Sequence, residues 1–490
     1  MRQKALIEHP LLPPFEPQLK AILELAFDGG VRSLNSAGYK LGDDLVNDDA
    51  SEHFRNGLFS SFGQAQSLIG MRFIELANKR RVLLDQIKTM RPRRDPALRE
   101  TLEQLEAVEN RQTIFRRLMD GILWVLLPKA WIARHLAFQN EISQPDPKEL
   151  MRILAIAWKQ NQESKRAIHL VADLTSIVQL GDIVRIRWDK DGVYIRLQEI
   201  KSGPINDALM DVIDSAGGIL STSGIAAVEA KFGPHAKVQA SRMMRQRERF
   251  KKFETALQSV EQPSNLPGDE LGAVLTKTKP PKVLSYLPKL PELVADARTR
   301  GVGIQGIDGC LWLIAVSEKG LAEIGKLEDL PHLLYHLKHP ELKCQNSEIP
   351  SLKRESPLVN LAVHNMQYLM SRSPLIWYPK DLVLDVVMGR ISIFAQFDID
   401  AFFKIGAKLG FDLKLITGKE AEEGKQSKAS GPMLENPKAY GVKVKFSNGR
   451  VLRLRSSFFR SVYSALTPPS QILRIIAALD KAQGCAAHSD

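Results

Sequence analysis

The chain has 490 residues, of which 44% are hydrophobic and 25% charged, and its formal net charge is +12. This length is too great for one hydrophobic core, so about two to four domains are expected, and the composition excludes a disordered chain. The three cysteines form no CxxC pair, which excludes a disulfide framework and a zinc ribbon. No signal-peptide pattern begins the sequence, and the most apolar stretch, residues 121–133, is too short to cross a bilayer. We therefore expect a cytoplasmic protein without membrane contact whose positive charge favours a polyanionic partner.

Residues 1–145 are predicted to form an all-α N-terminal domain. The segments 63–90 and 96–127 carry apolar residues at spacings of three and four, which is typical of amphipathic helices. The intervening sequence RPRRDP contains two prolines that interrupt a helix. The pattern therefore predicts an antiparallel helical hairpin.

The pattern changes at residue 146, and residues 146–262 are predicted to form a second domain. A helix with Pro147 near its start is followed by a β-branched apolar run, a β-hairpin, a short helix at 205–216 and a basic helix at about 236–258. Residues 263–283 have the proline, glycine and polar content of a linker.

Residues 284–490 are predicted to form an α+β C-terminal domain that binds substrate or a partner. The segments 302–316 and 382–397 are both interpreted as β-hairpins. Residues 414–438, rich in glycine, lysine and glutamate, are interpreted as a mobile loop.

The hairpin GDIVRIRWDKDGVYIRLQEIKSG, residues 181–203, has charged residues where its apolar face should continue. Alternate residues of a strand share one side, so the apolar face extends to Asp182 on the first strand. On the second strand the same face extends to Glu199 and Lys201. The three charged groups should therefore lie together at one end of the hairpin.

Two registers satisfy this pattern. A four-residue loop, 189–192, places Asp182 opposite Glu199, whereas a two-residue loop, 191–192, places Asp182 opposite Lys201. In both, the two carboxylates lie within roughly 5–8 Å at Cβ. A shift by one residue is excluded because it turns the apolar side chains to solvent.

Two half-buried carboxylates this close repel each other unless a cation joins them. Hard oxygen ligands on an open site suit Mg²⁺ or Mn²⁺. Lys201 would point into the same pocket and could orient a water molecule. This combination favours metal-assisted hydrolysis of a phosphodiester.

The sequence GD at 181–182, followed by EIK at 199–201, resembles the PD-(D/E)xK nuclease superfamily. The resemblance covers about 148–260 and implies an α/β restriction-endonuclease-like core with the order α-β-β-β-α. It also implies that Asp182 and Glu199 ligate the metal ion and that Lys201 positions the nucleophilic water. DNA is favoured over RNA as the substrate, and by analogy a role in defence against foreign DNA or phage is implied.

Three further positions follow from the same resemblance. Gln246 matches the glutamine of a family Gln-x-x-x-Tyr motif, although Phe250 replaces the tyrosine. Glu149 is the candidate acid on the preceding helix and a third metal ligand, with Glu141 in reserve. Gly181 stands where the family usually has proline, which leaves the ligands unaffected.

Two basic surfaces are candidates for contact with nucleic acid. On the basic helix, four side chains at helical spacings form a stripe suited to a phosphate backbone, the alternative being a solvated helix face. They are Arg242, Arg245, Arg249 and Lys252.

The second basic surface is the hairpin 441–455. A three-residue loop, 447–449, pairs Val444 with Leu452 and leaves Lys443 facing Arg453, with Lys445 and Arg455 nearby. An anionic partner would relieve the repulsion between these like charges, and a basic edge that prevents aggregation is the alternative.

No other motif carries a catalytic prediction. His332, His336 and His339, with Cys344 nearby, match no strong zinc spacing, and the histidines are interpreted as ordinary helix residues. The alternative function is a non-catalytic nucleic-acid-binding or scaffold subunit, and protein partners or a homo-oligomer are compatible with the sequence.

Overall fold

The structure, a computed structural model, divides the chain into two compact units. One unit is residues 21–265, and the other joins residues 1–20 to residues 266–490. The division after residue 265 falls in the predicted linker, which itself lies outside the described residues. The structure describes residues 7–27, 51–127, 144–164, 166–178, 181–189, 192–200, 204–215, 222–258, 286–324, 358–361, 379–417, 439–446, 449–454, 462–463 and 467–486.

Helix α1 (Phe15–Glu24) crosses the division between the units. The remaining elements of the unit 21–265 follow in chain order. They are α2 (Ser51–Arg93), α3 (Leu98–Leu126), α4 (Pro147–Glu163), β1 (Ala167–Val171), a 3-10 turn (Ala172–Leu174), β2 (Ile183–Asp189), β3 (Gly192–Gln198), α5 (Pro204–Ser215), α6 (Thr222–Phe232) and α7 (His235–Gln258).

Helices α2 and α3 form the predicted antiparallel hairpin. Arg80 of α2 forms an ion pair with Glu109 of α3 at 2.8 Å. One to two turns before Arg80, Phe73 lies under the guanidinium of Arg116, 5.1 Å from the ring centroid. A residue earlier in α2 therefore contacts a residue later in α3, as in two antiparallel helices. The prediction of an antiparallel hairpin is confirmed.

Strands β1, β2 and β3 form an antiparallel sheet in that order. Asp146 caps α4 by accepting a hydrogen bond from the Lys148 amide at 2.8 Å, and Pro147 occupies the first turn, where its missing N–H costs nothing. From α4 to α5 the elements follow the order α-β-β-β-α. The helices at 147–163 and 204–215 agree with the sequence-based predictions.

The outer edge of β1 is covered by two amide side chains. Gln66 of α2 donates to the His169 carbonyl at 2.9 Å and accepts from the Val171 amide at 2.8 Å. Asn161 of α4 accepts from the His169 amide at 2.7 Å and donates to its carbonyl at 3.1 Å. These amides take the place of a fourth strand, so backbone groups of a buried edge keep their hydrogen-bond partners.

The predicted division at residue 145 does not separate two units. Besides Gln66, the N-terminal helices contribute Asp120 of α3, which is fully buried and accepts from the Ser176 amide at 2.7 Å and from its hydroxyl. Arg117, also buried, pairs with the same carboxylate at 3.1 Å. Burial raises the pKa of Asp120, and Arg117 and Ser176 oppose that rise. The helices are therefore structural parts of the segment that carries β1.

The described residues of the other unit form two antiparallel sheets, with strand orders β4-β5-β7-β6 and β10-β9-β8. Its elements in chain order are a 3-10 turn (Leu287–Lys289), α8 (Leu290–Arg300), β4 (Val302–Ile307), β5 (Leu311–Ser317), α9 (Glu318–Ile324), β6 (Leu358–Asn360), α10 (Lys380–Val387), β7 (Ile391–Phe397), α11 (Ile399–Lys408), β8 (Asp412–Thr417), β9 (Ala439–Lys445), β10 (Val451–Leu454) and α12 (Pro469–Ala486). Across the described ranges, none of the helices is long and apolar enough to cross a membrane.

Of the hairpins predicted at 302–316 and 382–397, the first is confirmed and the second is wrong. β4 and β5 form the first, with Asp308 and Gly309 in the left-handed turn between them. Residues 382–397 contain helix α10 and only one strand, β7. The buried side chains of α10 lie at helical spacing, and this packing outweighs the strand propensity of its valines. They are Leu382, Val383, Val386 and Val387.

Of the loop predicted at 414–438, residues 414–417 belong to β8. The remainder lies outside the described residues.

Candidate active site

The register of the β2–β3 hairpin is that of the four-residue loop. Trp188 pairs with Val193, and Asp189 pairs with Gly192 at the end of the ladder. The alternative register, with a loop of residues 191–192 alone, is excluded. This register directs the start of β2 and the end of β3 to the same end of the sheet.

The ladder is distorted at Asp182, where Gly181 has a φ of 71°. Ile183 is the register partner of Gln198, yet the Asp182 amide also donates to the Gln198 carbonyl at 2.9 Å. Two successive residues thus face one, as in a β-bulge, and bulges redirect side chains. The Asp182 carboxylate accepts a hydrogen bond from the Ile200 amide at 2.5 Å. Asp182 is therefore held against the segment containing Glu199 by this hydrogen bond, in addition to the register of the hairpin.

Arg152 connects helix α4 to the same segment. Its guanidinium pairs with Glu149 at 2.5 Å and donates to the Ile200 carbonyl at 3.4 Å. The hydrogen bond with Glu149 raises the pKa of Arg152, burial opposes that rise, and the charges of Glu149 and Asp182 add to it. The candidate acid on the preceding helix thus lies at the same end of the sheet as Asp182.

Asp173, in the 3-10 turn after β1, is a carboxylate that the sequence analysis missed. Burial raises its pKa, the charge of Arg116 opposes the rise, and the charges of Glu199 and Glu149 add to it. The only sequence signal is an acid directly after a buried strand, in LVAD. We define the acidic cluster as the four carboxylates at this end of the sheet: Glu149, Asp173, Asp182 and Glu199.

The cluster is partly neutralised by arginines. Arg116 is buried over Phe73, and this burial lowers its pKa to about 10 while the charges of Asp173 and Asp120 oppose the fall. Arg152 balances Glu149. These two arginines therefore offset part of the mutual repulsion between the carboxylates.

The donor atoms of the cluster are of the type that Mg²⁺ and Mn²⁺ prefer, but their arrangement is not that of a closed metal site. Among the described residues, no three His, Cys, Asp or Glu side chains converge closely enough to hold a metal ion. Glu149 is bound to Arg152, and Asp182 to the Ile200 amide. A metal ion would require one of these contacts to open. Lys201 and Glu141 lie outside the described residues.

The basic helix is present as α7. Arg242 and Arg245 are exposed, while Ala236, Ala240 and Met243 pack in a core with side chains of α5 and α6. This division supports an amphipathic helix with a basic outer face. The side chains of Gln246, Arg249 and Lys252 lie outside what the structure describes.

The basic hairpin of the other unit has the predicted register. Val444 pairs with Leu452 and Lys443 with Arg453, and Gly449 has the left-handed φ of 84° that the bulged turn requires. On its other side Lys443 is the register partner of Lys414 in β8, which forms an ion pair with Asp412 at 3.2 Å.

Other predicted positions of this unit are not described. Arg455, the three histidines at 332, 336 and 339, and Cys344 lie outside the described residues. Cys310 is buried.

Comparison of the chain with protein-family models, with curated proteins and with solved structures gives no match.

Proposed function

We propose that the chain is a metal-dependent nuclease that hydrolyses phosphodiester bonds, with DNA as the favoured substrate. One observation carries the proposal: Asp182 is hydrogen-bonded to the segment of Glu199 and Ile200 at the end of a hairpin. The order α-β-β-β-α and the acid on the preceding helix support it, because the PD-(D/E)xK resemblance implies both. Defence against foreign DNA or phage belongs to the same proposal and rests on analogy alone.

In this proposal Asp182 and Glu199 would hold Mg²⁺ or Mn²⁺, and Glu149 would be a third ligand if its ion pair with Arg152 opened. The ion would supply a Lewis acid for the phosphodiester and an activated water. Lys201 would orient that water, and the carboxylates would fix the metal relative to the substrate.

One observation favours the alternative, a non-catalytic nucleic-acid-binding or scaffold subunit. Arg152 and Arg116 already balance carboxylates of the acidic cluster, as expected for a purely structural charge network. In that case the exposed arginines of α7 would bind nucleic acid and no bond would be cleaved.

The discriminating experiment is a plasmid cleavage assay with Mg²⁺ or Mn²⁺ on Asp182→Asn and Glu199→Gln variants. Asparagine keeps an oxygen that can accept from the Ile200 amide, so this variant removes charge with little loss of structure. We expect cleavage to fall about 100-fold or more in both variants. Asp211→Asn, an exposed aspartate on α5, is the matched control and should cleave normally.

Thermal unfolding with and without the metal ion separates the proposed roles. Lys201→Ala should lose cleavage but keep metal-induced stabilisation, whereas Asp182→Asn should lose both. Cleavage at the wild-type rate by Asp182→Asn would reject the proposed function, and so would the absence of cleavage by the folded wild-type protein with DNA and RNA substrates.

A further inference from the structure

A cavity of about 430 Å³ lies beside Glu199, between helix α4 and the three strands of the first sheet. Its size is within the range of small-molecule sites. Apart from that carboxylate, the polar groups of its wall are neutral or basic. They are Gln160 of α4, His169 of β1, Arg185 of β2, and Arg196 and Gln198 of β3.

Three of these side chains form a row across the sheet. His169 is the register partner of Arg185, and Arg185 is the register partner of Arg196. Two like charges directly opposite each other on adjacent strands are unfavourable unless an anion lies between them. The row is therefore arranged for a negatively charged ligand.

The two guanidinium groups of this row do not contribute hydrogen bonds or ion pairs to the described fold. Neither guanidinium makes an ion pair or a hydrogen bond with any residue that the structure describes. The Nε–H of Arg185 is buried without an acceptor. Buried donors in native proteins are nearly always paired, so an unpaired one facing a cavity indicates a ligand.

The positive charge of the cavity comes from the two arginines, because the histidine and the two glutamines of its wall are uncharged. Burial, with a smaller contribution from the charge of Arg185, lowers the pKa of His169 to about 4, so this imidazole is neutral at physiological pH. The Gln160 amide donates to the Gln198 side chain at 3.2 Å, which fixes one wall.

We propose that this cavity binds a phosphate group of a nucleic-acid strand, clamped between Arg185 and Arg196. A guanidinium fork matches phosphate geometry and can bind it through two parallel hydrogen bonds. Glu199 lines the same cavity, so the bound phosphate lies next to the acidic cluster. The choice of a strand over a free anion rests on the proposed nuclease function; the choice of phosphate rests on the two arginines.

The test is binding of a five-nucleotide single-stranded DNA and of inorganic phosphate, measured by calorimetry in EDTA so that no cleavage occurs. Arg185→Gln/Arg196→Gln should weaken DNA binding about 10-fold and lower the salt dependence of the binding constant by about one unit of slope. Arg187→Gln is the matched control, because Arg187 lies on the same strand but stacks on Tyr194 at 4.7 Å outside the cavity. It should change DNA affinity less than twofold.

Each other result overturns the proposal in whole or in part. Unchanged DNA binding by the double variant rejects the clamp. Phosphate binding that depends on the arginines, together with DNA binding that does not, rejects the strand and leaves a free-anion site. Arg196 is exposed, so Arg196→Gln alone provides the test if Arg185→Gln unfolds the protein.

The binding experiment can fail or succeed independently of the cleavage assay that tests the proposed function. DNA binding through Arg185 and Arg196 by a protein that never cleaves would keep the clamp and reject the nuclease. Cleavage that requires Asp182 but is unaffected by the two arginine substitutions would do the reverse.

Discussion

At the scale of single residues, His169 is held in place from several directions. Its backbone amide and carbonyl are bound by the side chains of Asn161 and Gln66, and its ring Nδ1 lies 3.3 Å from Asn161 Oδ1. The side chain is buried beside the positive charge of Arg185. These surroundings disfavour the imidazolium form.

This environment makes the stability of the protein dependent on pH. The pKa of His169 is lowered to about 4 in the folded state, so below about pH 6.5 the unfolded chain binds a proton that the folded protein does not. We expect the free energy of unfolding to fall as the pH decreases from 6.5 toward 4. Urea unfolding at pH 7 and pH 5 measures this change, and His169→Gln should make it smaller.

His235→Gln is the control for this measurement, because His235 is exposed at the start of α7. It should leave the pH dependence unchanged. The same pH dependence in the wild type and in His169→Gln would contradict the assignment to His169.

At the scale of elements, the sequence predicted hairpins where turn chemistry and alternation agree. The loop at 447–449, with Gly449 in a left-handed conformation, and the hairpin around 189–192 were both assigned from these two signals. Residues 382–397 were assigned wrongly because apolar, β-branched runs are ambiguous between a helix and a strand, and packing decides between them.

Other features of the site were not predictable from the sequence for a physical reason. Gln66 and Asn161 resemble ordinary polar residues of helix surfaces, and only the tertiary fold brings them to the edge of β1. The same applies to Asp173 of the acidic cluster and to Arg152, which contacts the segment beside it. Their partners Glu199 and Ile200 are distant from them in the sequence. The bulge at Asp182 also depends on the tertiary fold, since Asp182 O accepts from the Ala172 amide beyond β1.

At the scale of elements, the testable prediction concerns nucleic-acid binding by helix α7. Its apolar face is packed and its arginines are exposed, so Arg242→Gln/Arg245→Gln should preserve the fold and weaken nucleic-acid binding. Each lost phosphate contact on duplex DNA lowers the salt slope by about 0.9, so a decrease of about two units is expected.

Lys237→Gln, an exposed position on the same helix outside the arginine stripe, is the control. Titration of a fluorescent duplex at several salt concentrations measures the slope for each variant. An unchanged slope in the double arginine variant would assign this helix face to solvent.

At the scale of the whole molecule, the chain divides after residue 265, within the linker predicted from composition. We expect limited trypsin digestion to cut first after Lys277 or Lys282, because domain boundaries generally fall in Pro- and Gly-rich linkers and proteases generally cut such linkers first. Mass spectrometry of the earliest fragments identifies the cut.

The turn after helix α2 is an internal comparison for this digestion. Arg93 and Arg94 are also exposed and basic, and no proline follows them, but they lie at the end of a packed helical hairpin. A first cut at these arginines, before the linker, would contradict the prediction.

The amides that cover β1 also determine how the sheet can be extended. A three-stranded sheet has two outer strands, and an outer strand with open backbone groups can recruit a strand from another chain. At β1 those groups are bound by Gln66 and Asn161. Within the described part of the sheet, a strand exchanged between copies of the chain, or added by a partner, would therefore have to pair with β3, the strand that leads into Glu199.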